Sequence, residues 1–269
     1  MTYSVDGIRP ETRAAIEAVE RGLELARSGV GAQDITSKGG RDLVTATDIG
    51  VEDLVRGIVG DAFRVPIVGE ERGGDVPIDG SAYWLLDPIC GTRNFASRIP
   101  LYCVNLALVE GDQITMAVVG DASTDEIYVA ERGRGAWAFG HGDRRQLATT
   151  ELSQTIVIES GRSIGARREH AARFERDTIR ADRWDVRNLG STISLPYVAA
   201  GRVAAYALFS ATALHAGAGT LLVTEAGGAI SDIEGLPWTL RSDSILASAD
   251  TGLHQELIGV VRAAKDHSR

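Results

Sequence analysis

The stretch Trp84-Leu85-Leu86-Asp87-Pro88-Ile89-Cys90-Gly91-Thr92 constrains the fold of this chain more than any other. Its apolar start reads as a short buried strand, and the strand delivers an acid at its end, followed by a Gly-Thr step. Carboxylates at the C-terminal ends of strands are how an α/β protein builds a site for a hard cation. Backbone N–H groups at a Gly-Thr step that opens a helix make a site for an anion. Two more acidic clusters precede it: Asp42-Leu-Val-Thr45-Ala-Thr-Asp48, and Gly69-Glu70-Glu71 after the apolar run 65–68. Each taken alone is ordinary turn chemistry, since Asp, Glu and Gly are common in loops. Their joint occurrence in this order gives them force.

Around these motifs the pattern is mixed α/β. Helical spacing of Ala15, Ile16, Val19, Leu23 and Leu25 predicts an amphipathic helix over 11–28, and Ile49, Val51, Leu54, Val55 and Ile58 predict a second over 48–61. Strands are expected over 102–109, 114–120, 126–131 and 136–139, with Gly111-Asp112 and Gly133-Arg134-Gly135 as turns, which reads as an antiparallel meander. The second half alternates: strand 155–159, helix 167–180, small-residue helix 191–200, strand 203–209, Gly/Ala-rich helix 214–226, strand 244–249 and helix 252–265. Such an order predicts layers of helices and sheets in two halves, 1–150 and 151–269, joined as one compact catalytic unit.

Composition narrows the function classes. A net charge of −9 over 269 residues argues against nucleic acid or an anionic membrane as partner, because both need a basic face. No run approaches the length of a membrane span, and the first residues lack the layout of a secretory signal. Two cysteines, Cys90 and Cys103, make no disulfide framework, so a reducing cytoplasm is the expected setting and a small molecule the expected partner.

Taken together, Gly69-Glu70-Glu71, then Trp84-Leu-Leu-Asp87-Pro-Ile-x-Gly91-Thr92-x-Asn94-Phe95, then Leu222-Val-Thr-Glu225-Ala-Gly227-Gly228 resemble the inositol monophosphatase superfamily. Asp42 to Asp48, Arg187 to Ser191, Tyr197 to Arg202 and Gly235-Leu-Pro237-Trp238 extend the resemblance over nearly the whole chain. It implies an alternating α/β/α/β/α layered sandwich, a homodimer, and hydrolysis of small phosphomonoesters with Mg²⁺. It further implies a first metal held by Glu70, Asp87 and the Ile89 carbonyl, a water oriented by Thr92 with Asp48, and a phosphate held at Gly91-Thr92.

Two positions depart from the family's pattern. Cys90 stands where the central motif has its second aspartate. Counting back without gaps from Val223-Thr224-Glu225, a later aspartate of the family falls on His215 and its tryptophan on Leu214; Trp184-Asp185 lies too far upstream to serve. Mg²⁺ tolerates thiolate and imidazole poorly. The leading expectation is therefore a remodelled enzyme in which Cys90 is a nucleophile, His215 its base and Asp87 the group orienting the imidazole, working by hydrolysis, acyl transfer, cyclisation or elimination without a required cofactor. Three alternatives stay open: a softer ion such as Zn²⁺ on Asp87, Cys90 and His215; a metal-dependent phosphomonoesterase on a small sugar or polyol phosphate; and a non-catalytic relative.

Weaker candidates complete the reading. Lys38, Arg93, Arg187 and Ser191 are expected to contact substrate, Cys103 to sit in the core, and His141, His170, His254 and His267 to lie at the surface. The apolar run 203–210, Val-Ala-Ala-Tyr-Ala-Leu-Phe-Ser, predicts a substrate less polar than inositol phosphate.

Overall fold

In the computed structural model, which describes residues 7–30, 35–39, 42–150 and 153–266, five layers stack in the order helices, sheet, helices, sheet, helices. The first sheet has seven strands in chain order: β3 (Ile67–Gly69), β4 (Tyr83–Cys90), β5 (Cys103–Glu110), β6 (Gln113–Asp121), β7 (Glu126–Glu131), β8 (Gly135–Gly140) and β9 (Asp143–Gln146). Only the β3–β4 pair among them is parallel; the rest form the expected meander. The second sheet has the order β11-β10-β12-β14-β13, from β10 (Thr155–Glu159), β11 (Asp185–Arg187), β12 (Ala205–Leu208), β13 (Ala229–Ser231) and β14 (Ile245–Ser248). A hairpin of β1 (Ile35–Gly39) and β2 (Asp42–Thr45) lies apart.

Strand alternation builds the layers. Trp84 and Leu86 of β4, with Val104, Leu106 and Leu108 of β5, face α1 (Pro10–Ser28) and α2 (Ala46–Ala62). Tyr83, Leu85, Ala107 and Val109 point the other way, to a core shared with α5 (Ser194–Ala199) and α6 (Ala213–Glu225). That same core takes Val157, Tyr206, Ile245 and Ala247 from the second sheet. The outer face of that sheet, with Ile156, Ile158, Ala205, Ala207 and Leu246, packs on α4 (Gly165–Arg180) and α7 (Thr251–Asp266). No helix among the described residues is long and apolar enough to cross a membrane.

Two expectations about histidines need correction. His170 and His254 are buried, not superficial, at 7% and 5% exposure. His170 Nε2 lies 2.7 Å from the Val261 carbonyl, and the His254 ring bridges Ser248 and Ser231 at 2.8 and 2.9 Å. In each case the ring's polar edge finds a partner on a neighbouring element, which a polar local sequence does not reveal. His141 is exposed and Cys103 fully buried, as expected; His267 lies outside the described residues.

A polar cluster ties β7 to the segment after α5. Glu126 accepts from Arg145 at 2.9 Å, Tyr128 at 2.8 Å, Thr124 at 2.9 Å and Arg202 at 2.5 Å. Burial alone would raise its pKa, but these hydrogen bonds and the Arg202 charge prevail and hold it at about 2, down from 4.5. The folded state then binds fewer protons here than the unfolded chain. This contribution to stability is complete above the unfolded pKa and is lost as pH falls from about 4.5 toward 2. Glu126→Gln should flatten that part of the acid limb in urea titrations run at successive pH values.

Candidate active site

The site forms where β3 and β4 of the first sheet end against the loops of the second. The backbone N–H of Glu70 donates to the Leu86 carbonyl at 3.1 Å, which fixes Glu70 beside the end of β4. The loop beyond it is held from below by Glu52 of α2, fully buried, which accepts from the amides of Glu71 at 2.7 Å and Arg72 at 3.0 Å. Arg56, one turn on, neutralises Glu52 at 2.8 Å. Sequence reasoning missed Glu52, because one acid within an amphipathic helix looks like a solvated face.

At the end of β4, Asp87 is fully buried, and its Oδ2 lies 2.9 Å from His215 Nδ1 at the start of α6. The same nitrogen is 3.9 Å from Glu70 Oε2. Ligand atoms of Glu70, Asp87 and His215 all lie within 4.8 Å of one another. The other oxygen of Asp87, Oδ1, is buried without a hydrogen-bond partner. An orphaned carboxylate oxygen is costly unless positive charge completes it. Two carboxylates and an imidazole also form a donor set that suits a divalent cation, so the residues fit one. Burial disfavours protonation of His215, but the Asp87 carboxylate outweighs burial and, with Glu70, holds the ring's pKa at about 9. The imidazolium meets Oδ2 of Asp87 and leaves Oδ1 without a partner.

Beyond Cys90, Gly91 adopts φ 103° and opens α3 (Thr92–Ala96). A Cβ at Gly91 would come within 3.0 Å of the Leu101 carbonyl and 3.1 Å of Ser191, so both conformation and space require glycine. Thr92 Oγ1 donates to the Ile89 carbonyl at 3.0 Å and sits 3.4 Å from Asp48 Oδ1. Asp48 belongs to a capping box with Thr45 at the start of α2. Burial raises its pKa against the hydrogen bonds from Thr45, and the nearby Asp87 charge adds to the rise.

Cys90 and His215 share no hydrogen bond among the described residues. Thr192 Oγ1 donates to the His215 carbonyl at 3.0 Å, so at its 2.9 Å contact with Cys90 it is the acceptor and the thiol the donor. The Cys103 thiol, burial and the Asp87 charge all push the Cys90 pKa well up. Cys103 lies directly across the β4–β5 ladder. The Ser191 hydroxyl donates to the Cys90 carbonyl at 2.8 Å.

These residues line a cavity of about 780 Å³, together with Gly91, Arg93, Glu159, Arg162, Ser163, Tyr206 and Leu208. Among the sequence-derived candidates, Glu70, Asp87, Ile89, Cys90, Gly91, Thr92, Arg93, Ser191 and His215 border it. Asp48 reaches it through Thr92. Arg187 does not border it; its guanidinium donates to the Val186 carbonyl at 2.9 Å. The Lys38 side chain lies outside the described residues. Glu159, also missed, accepts from the amides of Gly190 at 2.8 Å and Leu189 at 3.2 Å and from Tyr206 at 3.1 Å. Burial pushes its pKa up to about 7 against these bonds. Of the apolar run 203–210 only Tyr206, Leu208 and Ser210 border the cavity, while Ala205, Ala207 and Phe209 face the outer core. The run is apolar because it is core, so its composition says little about the substrate.

Comparison with known proteins covers the same span. The sequence matches the inositol monophosphatase family over residues 8–266. It is 34% identical to the inositol-1-monophosphatase of Mesorhizobium japonicum over 238 residues, 86% of this chain and 88% of that one. It is 31% identical to the inositol-1-monophosphatase ImpA of Mycolicibacterium smegmatis, over 88% of this chain and 86% of that one. The fold superposes on the extragenic suppressor protein suhB of Bartonella henselae with a TM-score of 0.84, at 24% identity, over 93% of this chain and 97% of that one. Relatives named as inositol-1-monophosphatases, matched over most of both chains, overturn the expectation of a remodelled Cys90/His215/Asp87 enzyme. The local chemistry gives the physical reason. A thiol raised well above its ordinary pKa is a poor nucleophile, and a ring already protonated is no base.

Proposed function

The chain belongs to the inositol monophosphatase family, and from that premise we propose that it is a divalent-cation-dependent phosphomonoesterase acting on a small phosphorylated substrate such as a sugar or polyol phosphate. The observation that carries this reading is the orphaned Oδ1 of Asp87, buried beside Glu70 and His215. Glu70, Asp87 and the Ile89 carbonyl would hold the cation, with His215 as an adjacent donor once its proton is released. Such an ion supplies Lewis-acid polarisation of the phosphoryl oxygens and neutralises charge as the ester bond breaks.

The protein's own groups do the rest. The backbone at Gly91-Thr92 receives the phosphoryl group at the cavity floor. Thr92 Oγ1, held between the Ile89 carbonyl and Asp48, orients the attacking water. Asp48 is more basic than a free aspartate and takes the water's proton. The Glu52 network keeps Glu70 within reach of Asp87.

The test is a phosphate-release assay on chelator-treated protein with a small polyol phosphate, titrated with Mg²⁺, Mn²⁺ and Zn²⁺. Turnover should be absent with the chelator and return with at least one cation. Cys90→Ala should retain most of that turnover, since the thiol serves packing and a hydrogen bond to Thr192. Turnover indifferent to the chelator and abolished in Cys90→Ala would defeat the reading.

A further inference from the structure

We infer that Ser191 is a positioning residue for the phosphoryl-binding backbone: its hydroxyl holds the Cys90–Gly91 peptide so that the Gly91 N–H serves the cavity, and it acts on the substrate only through that peptide. This inference rests on the phosphatase reading for the role of Gly91-Thr92. The hydrogen bonds of Ser191 come first. It is 4% exposed, its one hydroxyl proton goes to the Cys90 carbonyl at 2.8 Å, and its oxygen accepts from the Ile193 amide at 3.3 Å. No donor remains for a substrate hydroxyl. The Cys90–Gly91 peptide is trans, so a carbonyl drawn toward Ser191 turns the Gly91 N–H the opposite way. Gly91 itself borders the cavity.

The strand ladder does not fix this peptide unaided. The β4–β5 register slips between Asp87 and Cys90, and Pro88 within the slip has no N–H to pair. The chain then leaves the sheet at Gly91, and Ser191 anchors it from outside. The segment that carries Ser191 is itself held from two directions. Glu159, at the end of β10, accepts from the amides of Gly190 at 2.8 Å and Leu189 at 3.2 Å. From the other side, Asn94 of α3 donates one amide proton to the Leu189 carbonyl at 2.6 Å and the other to the Leu101 carbonyl at 2.7 Å. The 189–191 segment therefore grips the Gly91-Thr92 turn at both ends, through Cys90 before it and Asn94 after it. A residue of the second sheet's half thus sets the aim of a backbone donor in the first.

Inorganic phosphate separates this role from contact with the substrate body, because it has the phosphoryl oxygens and nothing else. In the cation-loaded protein, Ser191→Ala should raise both the KM for a small polyol phosphate and the inhibition constant of inorganic phosphate, each about five- to tenfold, the effect of losing one hydrogen bond. The kcat should change by less than about twofold, as expected when binding common to ground and transition states is lost. Glu159→Gln keeps one acceptor oxygen, so it should move both constants the same way by a smaller factor, and it decides the matter alone if Ser191→Ala does not fold. A raised KM with an unchanged phosphate constant would mean that Ser191 touches the substrate body. Both constants unchanged, whatever the melting temperature, would mean that the hydroxyl serves folding only. Either result overturns the inference. Thermal shifts with inorganic phosphate and Mg²⁺ read the anion site without turnover. If no polyol phosphate is hydrolysed yet phosphate stabilises wild type more than Ser191→Ala, the phosphatase reading fails and the positioning role stands. A wild type that neither turns over a polyol phosphate nor gains stability from phosphate overturns both.

Discussion

Asp87→Asn removes phosphomonoester turnover by at least about 100-fold, the loss expected when a cation's several kcal/mol of charge stabilisation is forfeited. The change is nearly isosteric and lies at a fully buried position, so the loss is chemical, not a failure to pack. In the wild type, one oxygen meets His215 and the other has no partner, an arrangement that favours a cation over an empty site. Asparagine removes the negative charge that raises the His215 pKa and offers only one carbonyl oxygen as a ligand. Phosphate release under saturating cation, with a melting curve beside it, checks this. Turnover near wild type would remove Asp87 from the cation's ligand set.

Glu52→Ala should cost about 3–5 kcal/mol of stability, as breaking a buried ion pair from one side does. Glu52 is fully buried, pairs with Arg56 at 2.8 Å and accepts two loop amides. Truncation leaves those amides without acceptors and Arg56 with only the Ile67 and Gly73 carbonyls. For a chain of this size the melting temperature should fall on the order of 10 °C. Because the freed amides belong to the residues that follow Glu70, cation affinity should fall as well. Glu52→Gln keeps the acceptor oxygen and should lie between the two. Urea unfolding of both variants, with a cation titration of turnover, separates this from a surface acid, whose removal would be nearly silent.

Much of the architecture was legible because strand alternation and helical spacing are local. Trp84-Leu85-Leu86 announced β4, and Asp87-to-Thr92 announced the carboxylate and turn at its end. The contact of His215 with Asp87 was read from the sequence, since a gapless count back from Val223-Thr224-Glu225 aligns the ring with one of the family's acids. Protonation was not legible. It depends on Cys103 across the ladder, on burial of the thiol and on the Asp87 charge. Cys103 and burial keep Cys90 a neutral thiol, and the Asp87 carboxylate, outweighing burial, keeps His215 an imidazolium. Glu52 and Glu159 escaped for a related reason: each is an ordinary polar residue whose role comes from what folding brings to it.

The middle layer has a consequence for how the molecule holds together. One apolar cluster takes Tyr83 and Leu85 from the first sheet, Val157 and Tyr206 from the second, and Leu221 and Leu222 from the helix between them. Neither half of the polypeptide owns its inner face. Severed at mid-chain, each fragment would expose that face to water, so the two sheets should melt in a single cooperative step, and the acids of one half should meet the imidazole of the other only when the whole chain has folded.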